Sequence, residues 1–357
     1  MSLRYIAASL GLSVTTVSRA LGGYSDVAEA TRQRVRAEAE RIGYAPNAIA
    51  RRLQKGRTDA IGVVAPTGSG AITDTYLYTA IICAWTRLSE CDRDLVLLPS
   101  MDERTEAESE SRAFRRAVEE RRVDGLLLLR TRHDDWRLPY LRGARIPFVV
   151  FGALHEDMPD VVAIGVDNES AAEEVLDRLA EFGHRQVAVV VPEGEFAFAA
   201  SRIAAFSAGV AARGLSLRVE TAAFSEDGGR AATVRLLACP DHPTAIVYFA
   251  NRMTFGGLHA IADTILVPGR HISLISYGDN PNLIYTSPSV TAVRAPVEDM
   301  VRHAIDVLIG EIDGKPVDPI RRWPLTLVRR QSDGPLVPRP ESPPKHDRAG
   351  SAMMPVG

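Results

Sequence analysis

The segment Ser13-Val14-Thr15-Thr16-Val17-Ser18-Arg19 carries the side chains of this chain best suited to chemistry, and that chemistry is recognition rather than bond-making. The hydroxyls of Thr15, Thr16 and Ser18 both donate and accept hydrogen bonds, Val14 offers an apolar contact, and Arg19 presents a planar fork of N–H groups that fits the two acceptors on a guanine edge. No catalytic constellation accompanies them. G-x-S-x-G, H-E-x-x-H and a carboxylate pair beside a positioned base are all missing, so an enzyme is not expected. Thr67-Gly-Ser-Gly70 lacks the spacing and the Lys-Ser/Thr ending of a phosphate loop. Cys83, Cys91 and Cys239 are odd in number and have no CxxC or Cys/His spacing, which speaks against a disulfide framework or a zinc site. Neither a metal nor a cofactor is expected.

The elements that must position these groups are read from hydrophobic spacing. Leu3, Ile6, Ala7 and Leu10 recur at i, i+3, i+4 and i+7, one apolar face of a short helix that Gly11 stops. Ser13 is a good N-cap for a second short helix, Val14 to Leu21, with Val17, Ala20 and Leu21 turned inward and Gly22-Gly23 behind it. Two short helices across a tight glycine turn form a helix-turn-helix, whose second helix enters the major groove with its first residues at base edges. Val14, Thr15 and Arg19 are therefore the expected base readers, and Thr16 and Ser18 the expected phosphate contacts. A third helix from about Glu29 to Ile42, with Val35, Ala39 and Ile42 on one side and Gly43 at its end, completes a three-helix core. Periodicity alone also fits a small helical bundle with no nucleic-acid role.

Charge adds to the case for DNA. Residues 1 to 60 hold ten Arg/Lys against five Asp/Glu, a net of +5, whereas the whole chain has 42 against 45; the remainder is left with 32 against 40, or −8. A basic block joined to an acidic body suits a polyanion-binding module attached to something else. At 357 residues and 46% hydrophobic content the chain has room for two or three domains. No uninterrupted apolar run reaches the roughly 18 residues of a membrane span, and the N-terminus lacks the pattern of a signal peptide. A cytoplasmic protein without a membrane partner is expected.

From Asp59 onward short apolar runs alternate with longer amphipathic stretches, the pattern of repeated βα units around a parallel sheet. Candidate strands are Ala60-Val64, Asp94-Leu98, Gly125-Leu129, Phe148-Phe151, Ala163-Val166, Gln186-Val191, Ala245-Phe249 and Ile272-Ser276. The runs by themselves fit one sheet of eight strands or more than one sheet. After about residue 333 the composition turns to Pro, Ser, Gly and charge, which cannot bury enough apolar area to order itself.

Ile6-Ala7, Gly11-Leu-Ser-Val-Thr-Thr-Val-Ser-Arg19-Ala-Leu, Thr31-Arg-Gln-Arg-Val35 and Ile42-Gly-Tyr-Ala-Pro-Asn47-Ala-Ile-Ala50 together resemble the signature of the lactose repressor (LacI/GalR) family of transcriptional regulators. The resemblance implies an all-α helix-turn-helix headpiece (1–45), a hinge helix (46–58), and an α/β periplasmic-binding-protein-like core of two lobes with parallel sheets (59–333). The expected N-lobe spans about 59–157 and 290–317, and the C-lobe about 158–289 and 318–333. Residues 334–357 are expected to be a disordered tail. It further implies that Asn47, Ala50 and Leu53 of the hinge contact DNA, Leu53 as a wedge in the central base step and Ala50 facing the partner hinge. Three positions depart from the family pattern: Tyr5 in place of Asp, Gly22 in place of a phosphate-contacting Asn, and Ala28 in place of a Ser cap.

In the core, the resemblance places an effector between the lobes. Arg202 matches the family arginine that binds ligand hydroxyls, Phe206 its aromatic, Asn251 an asparagine, and Tyr76 and Leu77 the pair that closes the N-terminal side. The family's ligand-contacting Asp is Gly278 here, which leaves Asp279 to accept hydroxyls, and Arg252 stands where an Asp is usual. Phe198, one turn before Arg202, is placed to stack on a sugar face. His184 is expected to be structural. The implied function is a repressor of sugar uptake and catabolism genes that binds a pseudo-palindromic operator in double-stranded DNA and answers to a sugar. The alternative is a nucleobase, nucleoside or phosphosugar acting as co-repressor. The tail lacks leucine heptads for tetramer formation, so a homodimer is expected. Leu53→Ala is expected to bind the operator with a smaller bend, read by circular-permutation gel shift; an unchanged bend would dismiss the wedge.

Overall fold

The computed structural model describes residues 2–22, 24–44, 56–66, 74–100, 107–153, 158, 160–318 and 320–337. Three helices open the chain: α1 (Leu3–Leu10), α2 (Val14–Leu21) and α3 (Glu29–Arg41). Gly11 takes a left-handed φ of 64° at the turn after α1, and the Ser13 hydroxyl accepts the Thr16 N–H at 3.0 Å to start α2. Ile6, Ala7, Val17, Ala20, Val27, Val35 and Ala39 pack into one small core, with Ala7 small enough to let the helices cross closely. Ala28 offers no side-chain cap to α3. The hinge residues Asn47, Ala50 and Leu53 lie outside the described residues.

Two sheets follow, each of six strands among the described residues. The first contains β1 (Ala60–Pro66), β2 (Asp94–Ser100), β3 (Gly125–Leu129), β4 (Phe148–Phe151), β5 (Ala163–Val166) and β11 (Ile320–Trp323), in the order β11-β5-β4-β3-β1-β2, all parallel. Helices α4 (Thr75–Glu90) and α11 (Val297–Ile312) cover one face of this N-lobe sheet, and α5 (Ala107–Glu119) and α6 (Arg137–Ala144) the other. The second sheet contains β6 (Gln186–Pro192), β7 (Ser216–Ala222), β8 (Ala245–Tyr248), β9 (Ser273–Tyr277), β10 (Thr291–Arg294) and β12 (Thr326–Val328), in the order β12-β10-β9-β8-β6-β7. Only the β10–β12 pair is antiparallel. Helices α7 (Asn168–Glu181) and α8 (Ala197–Val210) cover one face of this C-lobe, and α9 (Glu226–Leu237) and α10 (Asn251–Ala262) the other. Strands buried on both faces read as continuous apolar runs, which is why Gly125–Leu129 and Gln186–Pro192 stand out in the sequence.

The two-lobe architecture matches expectation, but the lobe boundaries move. Ala163–Val166 pairs with β4 and belongs to the N-lobe, so the first crossing falls at Asp167, not near 157. Thr291–Arg294 pairs with β9 and stays in the C-lobe, which moves the second crossing to Ala295-Pro296. Ile320–Trp323 pairs with β5 in the N-lobe, and the third crossing lies just before Thr326. Each misplaced strand is four residues long, and its sheet is decided by the neighbour it pairs with, not by its composition.

The expected disordered tail does not start at 334. Asp333 is buried and accepts hydrogen bonds from Arg178 and Thr291, the Gly334 N–H reaches Ser273 Oγ at 3.1 Å, Leu336 N–H donates to Phe182 O at 2.9 Å, and Val337 N–H to Arg270 O at 2.8 Å. The backbone there is paired into the C-lobe, which apolar composition does not reveal. Residues 338–357 lie outside the described residues. Ala28→Ser is expected to stabilise the headpiece by about 1 kcal/mol through the restored cap, read as a higher urea midpoint of the headpiece transition; no gain would show that the cap N–H groups are already satisfied.

Candidate nucleic-acid interface and interlobe cleft

Helix α2 presents its predicted readers outward. Val14, Thr15 and Arg19 are exposed, and Thr16 and Ser18 are half-buried along the same helix, while Val17 and Ala20 face the core. Arg19 is not a loose side chain: its Nη2 pairs with Asp26 Oδ2 at 2.6 Å and its guanidinium carbon lies 4.7 Å from the Tyr24 ring centroid. Tyr5 stands exposed on α1. Gly22 sits against Tyr24, whose Cε2 lies only 2.9 Å from where a Cβ on Gly22 would be.

The cleft forms where strands of both sheets end, the usual place for a ligand in doubly wound α/β structures. Its walls enclose about 740 Å³, mouth included. The N-lobe supplies Asp74, Tyr76, Arg130 and Phe151; the C-lobe supplies Phe198, Arg202, Phe224, Phe249, Asn251 and Tyr277. Of the predicted ligand residues, Tyr76, Phe198, Arg202 and Asn251 come together here.

Arg202 is the centre of the C-lobe wall. Its guanidinium lies 4.5 Å from the Tyr277 ring and 4.9 Å from Phe198, and Nη1 donates to Phe249 O at 2.6 Å. Its Nε is buried without a hydrogen-bond partner. Burial lowers its pKa, as it must for a cation taken out of water, while the rings facing it recover part of the lost hydration. Across the cleft, Arg130 follows β3 with a left-handed φ of 52°, pairs with Asp74, and lies 4.2 Å from the Phe224 ring of the other lobe. A non-glycine residue held at positive φ costs about 1–3 kcal/mol, and such strain concentrates at functional sites. Burial raises the Tyr76 phenol to about 12 and also raises that of Tyr277, so both are neutral hydroxyl groups at physiological pH. The Tyr277 hydroxyl is buried with no hydrogen-bond partner.

Three predicted ligand residues lie elsewhere. Leu77 is buried in the N-lobe core, because one step along α4 from Tyr76 turns it from the cleft onto the sheet. Phe206 is fully buried behind the cleft, packed 5.5 Å from Phe249 and 6.1 Å from Tyr277. Asp279 is half-buried, with its carboxylate covered and occupied by Arg294 and by Arg330 at 2.7 Å. Gly278, with φ of 90°, does line the cleft, and a Cβ there would lie 3.2 Å from Asn251 Nδ2. Asp279 therefore does not replace the missing carboxylate. Arg252 is likewise satisfied away from the cleft, 2.7 Å from Glu226.

Sequence reasoning missed Asp74, Arg130, Phe224 and Tyr277. Arg130 carries a usable signal, since it directly follows the apolar run Gly125–Leu129 and so sits at a strand's C-terminal end. His184 is structural as expected: it is buried between Thr244 Oγ1 at 2.9 Å and Ser273 Oγ at 2.7 Å.

The lobes also touch directly. Thr75 Oγ1 accepts from Asn280 Nδ2 at 2.8 Å and, longer, from Asn251 Nδ2 at 3.4 Å. Arg132 and Phe196 form an antiparallel bridge, flanked by Ala197 N–H to Thr131 O at 3.1 Å and His133 N–H to Glu195 O at 3.0 Å. Thr75→Val would leave the buried Asn280 amide unpaired, and the expected loss is about 1–3 kcal/mol of stability by urea unfolding, with a more open envelope in solution scattering. An unchanged midpoint and envelope would show that the contact does not hold the lobes together.

Similarity to known proteins follows this geometry. The family model described as bacterial regulatory proteins, lacI family, matches residues 2–47, and a periplasmic binding protein-like domain matches residues 176–332. The HTH-type transcriptional regulator RafR of Escherichia coli is 33% identical over 316 residues, covering 87% of this chain and 92% of RafR. The solved complex of the transcriptional regulator CelR with cellobiose is 26% identical, covers 93% of this chain and 99% of its own, and superposes with a TM-score of 0.70. A lac repressor dimer bound to operator and the anti-inducer ONPF shares the fold with a TM-score of 0.81 at 22% identity, over 94% of this chain and 99% of its own.

Proposed function

Because the chain belongs to the lacI family of bacterial regulatory proteins and is a DNA-binding transcriptional regulator, not an enzyme, we propose that it represses sugar uptake and catabolism genes and leaves its operator when a sugar occupies the interlobe cleft. The observation that carries this reading is the pairing of aromatic faces with unsatisfied donors on the cleft wall. Phe198 and Phe224 offer flat apolar surface, Arg202 Nε and the Tyr277 hydroxyl are buried without partners, and the Asn251 amide is close by. A sugar ring has C–H faces for the former and hydroxyls for the latter. Cellobiose in the CelR complex supports a disaccharide-sized effector. The arginines also have an affinity for phosphate, but Arg130 is already paired with Asp74, and Arg202 already packs against the Phe198 and Tyr277 rings and donates to Phe249 O.

Operator binding in this reading is the work of a homodimer. Tyr78, Ile82 and Trp85 are exposed at i, i+4 and i+7 on α4, an apolar stripe suited to a second copy, and a two-fold dimer reads a pseudo-palindrome. Val14, Thr15 and Arg19 read bases, Thr16 and Ser18 touch phosphates, and Asn47, Ala50 and Leu53 act from the hinge. Effector binding changes the lobe angle, which shifts the two N-lobes and parts the hinges. Among the described residues no helix is long and apolar enough to cross a membrane.

Thermal-shift and anisotropy titrations with disaccharides, monosaccharides, nucleosides and phosphosugars test the reading. A disaccharide is expected to raise the melting temperature and release upstream DNA of the regulated genes. Arg202→Ala should weaken that sugar about 10- to 100-fold while operator affinity stays intact, the loss of a hydrogen bond from a charged group. Stabilisation by a nucleoside with tighter DNA binding would replace the sugar with a co-repressor.

A further inference from the structure

The loop after the recognition helix holds a cluster that the helix-turn-helix motif does not require. Gly22 leaves room for the Tyr24 ring: a Cβ at residue 22 would meet Tyr24 Cε2 at 2.9 Å, Cδ2 at 3.1 Å and Ser18 O at 3.2 Å. Tyr24 is held by its backbone, with its N–H on Arg19 O at 3.1 Å and its carbonyl accepting from Arg32 Nη1 at 3.2 Å and the Val27 N–H at 3.3 Å. Val27 is buried in the headpiece core, which anchors the loop. On this platform Tyr24 lies under the Arg19 guanidinium, and Asp26 closes on Nη2 at 2.6 Å. The side chain of the expected guanine reader is thus fixed by a ring on one side and a carboxylate on one edge.

We propose that Tyr24 and Asp26 are positioning residues that hold Arg19 for a base edge and withhold it from the phosphates, so that they set specificity at the expense of general DNA affinity. The proposal rests on the reading of Arg19 as a base reader. An arginine has five N–H donors, and one carboxylate engages at most two, so enough remain for the two acceptors of guanine. Pairing in solution contributes little to folding, since both partners are exposed. Its effect lies at the DNA surface, where an unheld guanidinium slides to the nearest phosphate. The carboxylate also cancels one positive charge that would strengthen binding to any sequence. In this light Gly22 replaces a phosphate-contacting side chain with space for the ring that orients Arg19.

The test uses the full-length protein and a duplex selected by it from a random pool, with symmetric single-base replacements and a random-sequence duplex, each titrated at several salt concentrations. Asp26→Asn is expected to bind random DNA more tightly, to steepen the log-affinity against log-salt slope by about 1, and to lose about tenfold discrimination at one base pair per half-site. That base pair should be the one at which Arg19→Ala loses discrimination. Tyr24→Ala should lose discrimination there with little change in slope, and Tyr24→Phe should keep it. If Asp26→Asn weakens selected and random DNA equally, or leaves discrimination intact while Arg19→Ala abolishes it, the positioning role is overturned. If Arg19→Ala changes no base preference, the reader assignment itself fails, and the proposal with it.

Discussion

A guanidinium buried in a cleft must be compensated for the water it has lost, and much of the core is arranged to do this for Arg202. A full carboxylate partner would tie the side chain up; instead it has the faces of Phe198 and Tyr277 and the carbonyl of Phe249, with Nε left over. Those rings are in turn fixed from behind. Phe206, Phe249 and Tyr277 pack edge to face or tilted in the C-lobe core, so the wall is rigid before any ligand arrives. Rigid, incompletely satisfied donors discriminate well, because a ligand that lacks the matching acceptor leaves them unpaired. Phe206 therefore contributes to the site without touching it.

The same logic explains what the sequence disclosed and what it did not. The headpiece was legible because each short helix repeats its apolar residues with the helical period and stops at glycine, and because Ser13 caps α2 as expected. The central strands were legible as apolar runs. Ser216–Ala222 was not: it is an edge strand that exposes Arg218 and Val219 and half-buries Glu220 against Arg235, so no run or alternation in its sequence separates it from a loop. In the cleft, the residues matched to a family motif on a helix, Arg202 and Asn251, fell where expected, but Arg130 and Phe224 meet only because two lobes close. Contacts between segments almost a hundred residues apart leave no local signal in one sequence.

Gly278 and Asp279 show how one residue's shift rewrites a site. The backbone at Gly278 runs at positive φ with its N–H on Val293 O at 2.9 Å, and it lies so close to Asn251 that a Cβ there would come within 3.2 Å of Nδ2. The carboxylate one residue later points to the other side of the chain, where Arg294 and Arg330 neutralise it beside the crossing to the N-lobe. Asp279 thus stiffens the C-lobe near a crossover instead of accepting a hydroxyl. The cleft then depends on donors far more than on acceptors, which favours a ligand rich in lone pairs.

How a lobe movement would reach DNA depends on the place where the headpiece linker meets the core. Asp124 takes the Thr58 N–H at 2.7 Å, the Thr58 hydroxyl at 2.9 Å and the Asp59 N–H at 2.8 Å, all immediately before β1. Arg57 pairs with Asp313 and donates to Ile312 O at 2.8 Å, at the end of α11, the helix that begins at the second lobe crossing. Residues 57–59 are therefore tied both to the turn before β3 and to the end of the helix that covers the N-lobe sheet. Any rotation of the N-lobe must carry residue 57 with it. Since α11 runs from the crossing at Ala295-Pro296 to this clamp, one rigid helix joins the mouth of the cleft to the root of the DNA-binding segment.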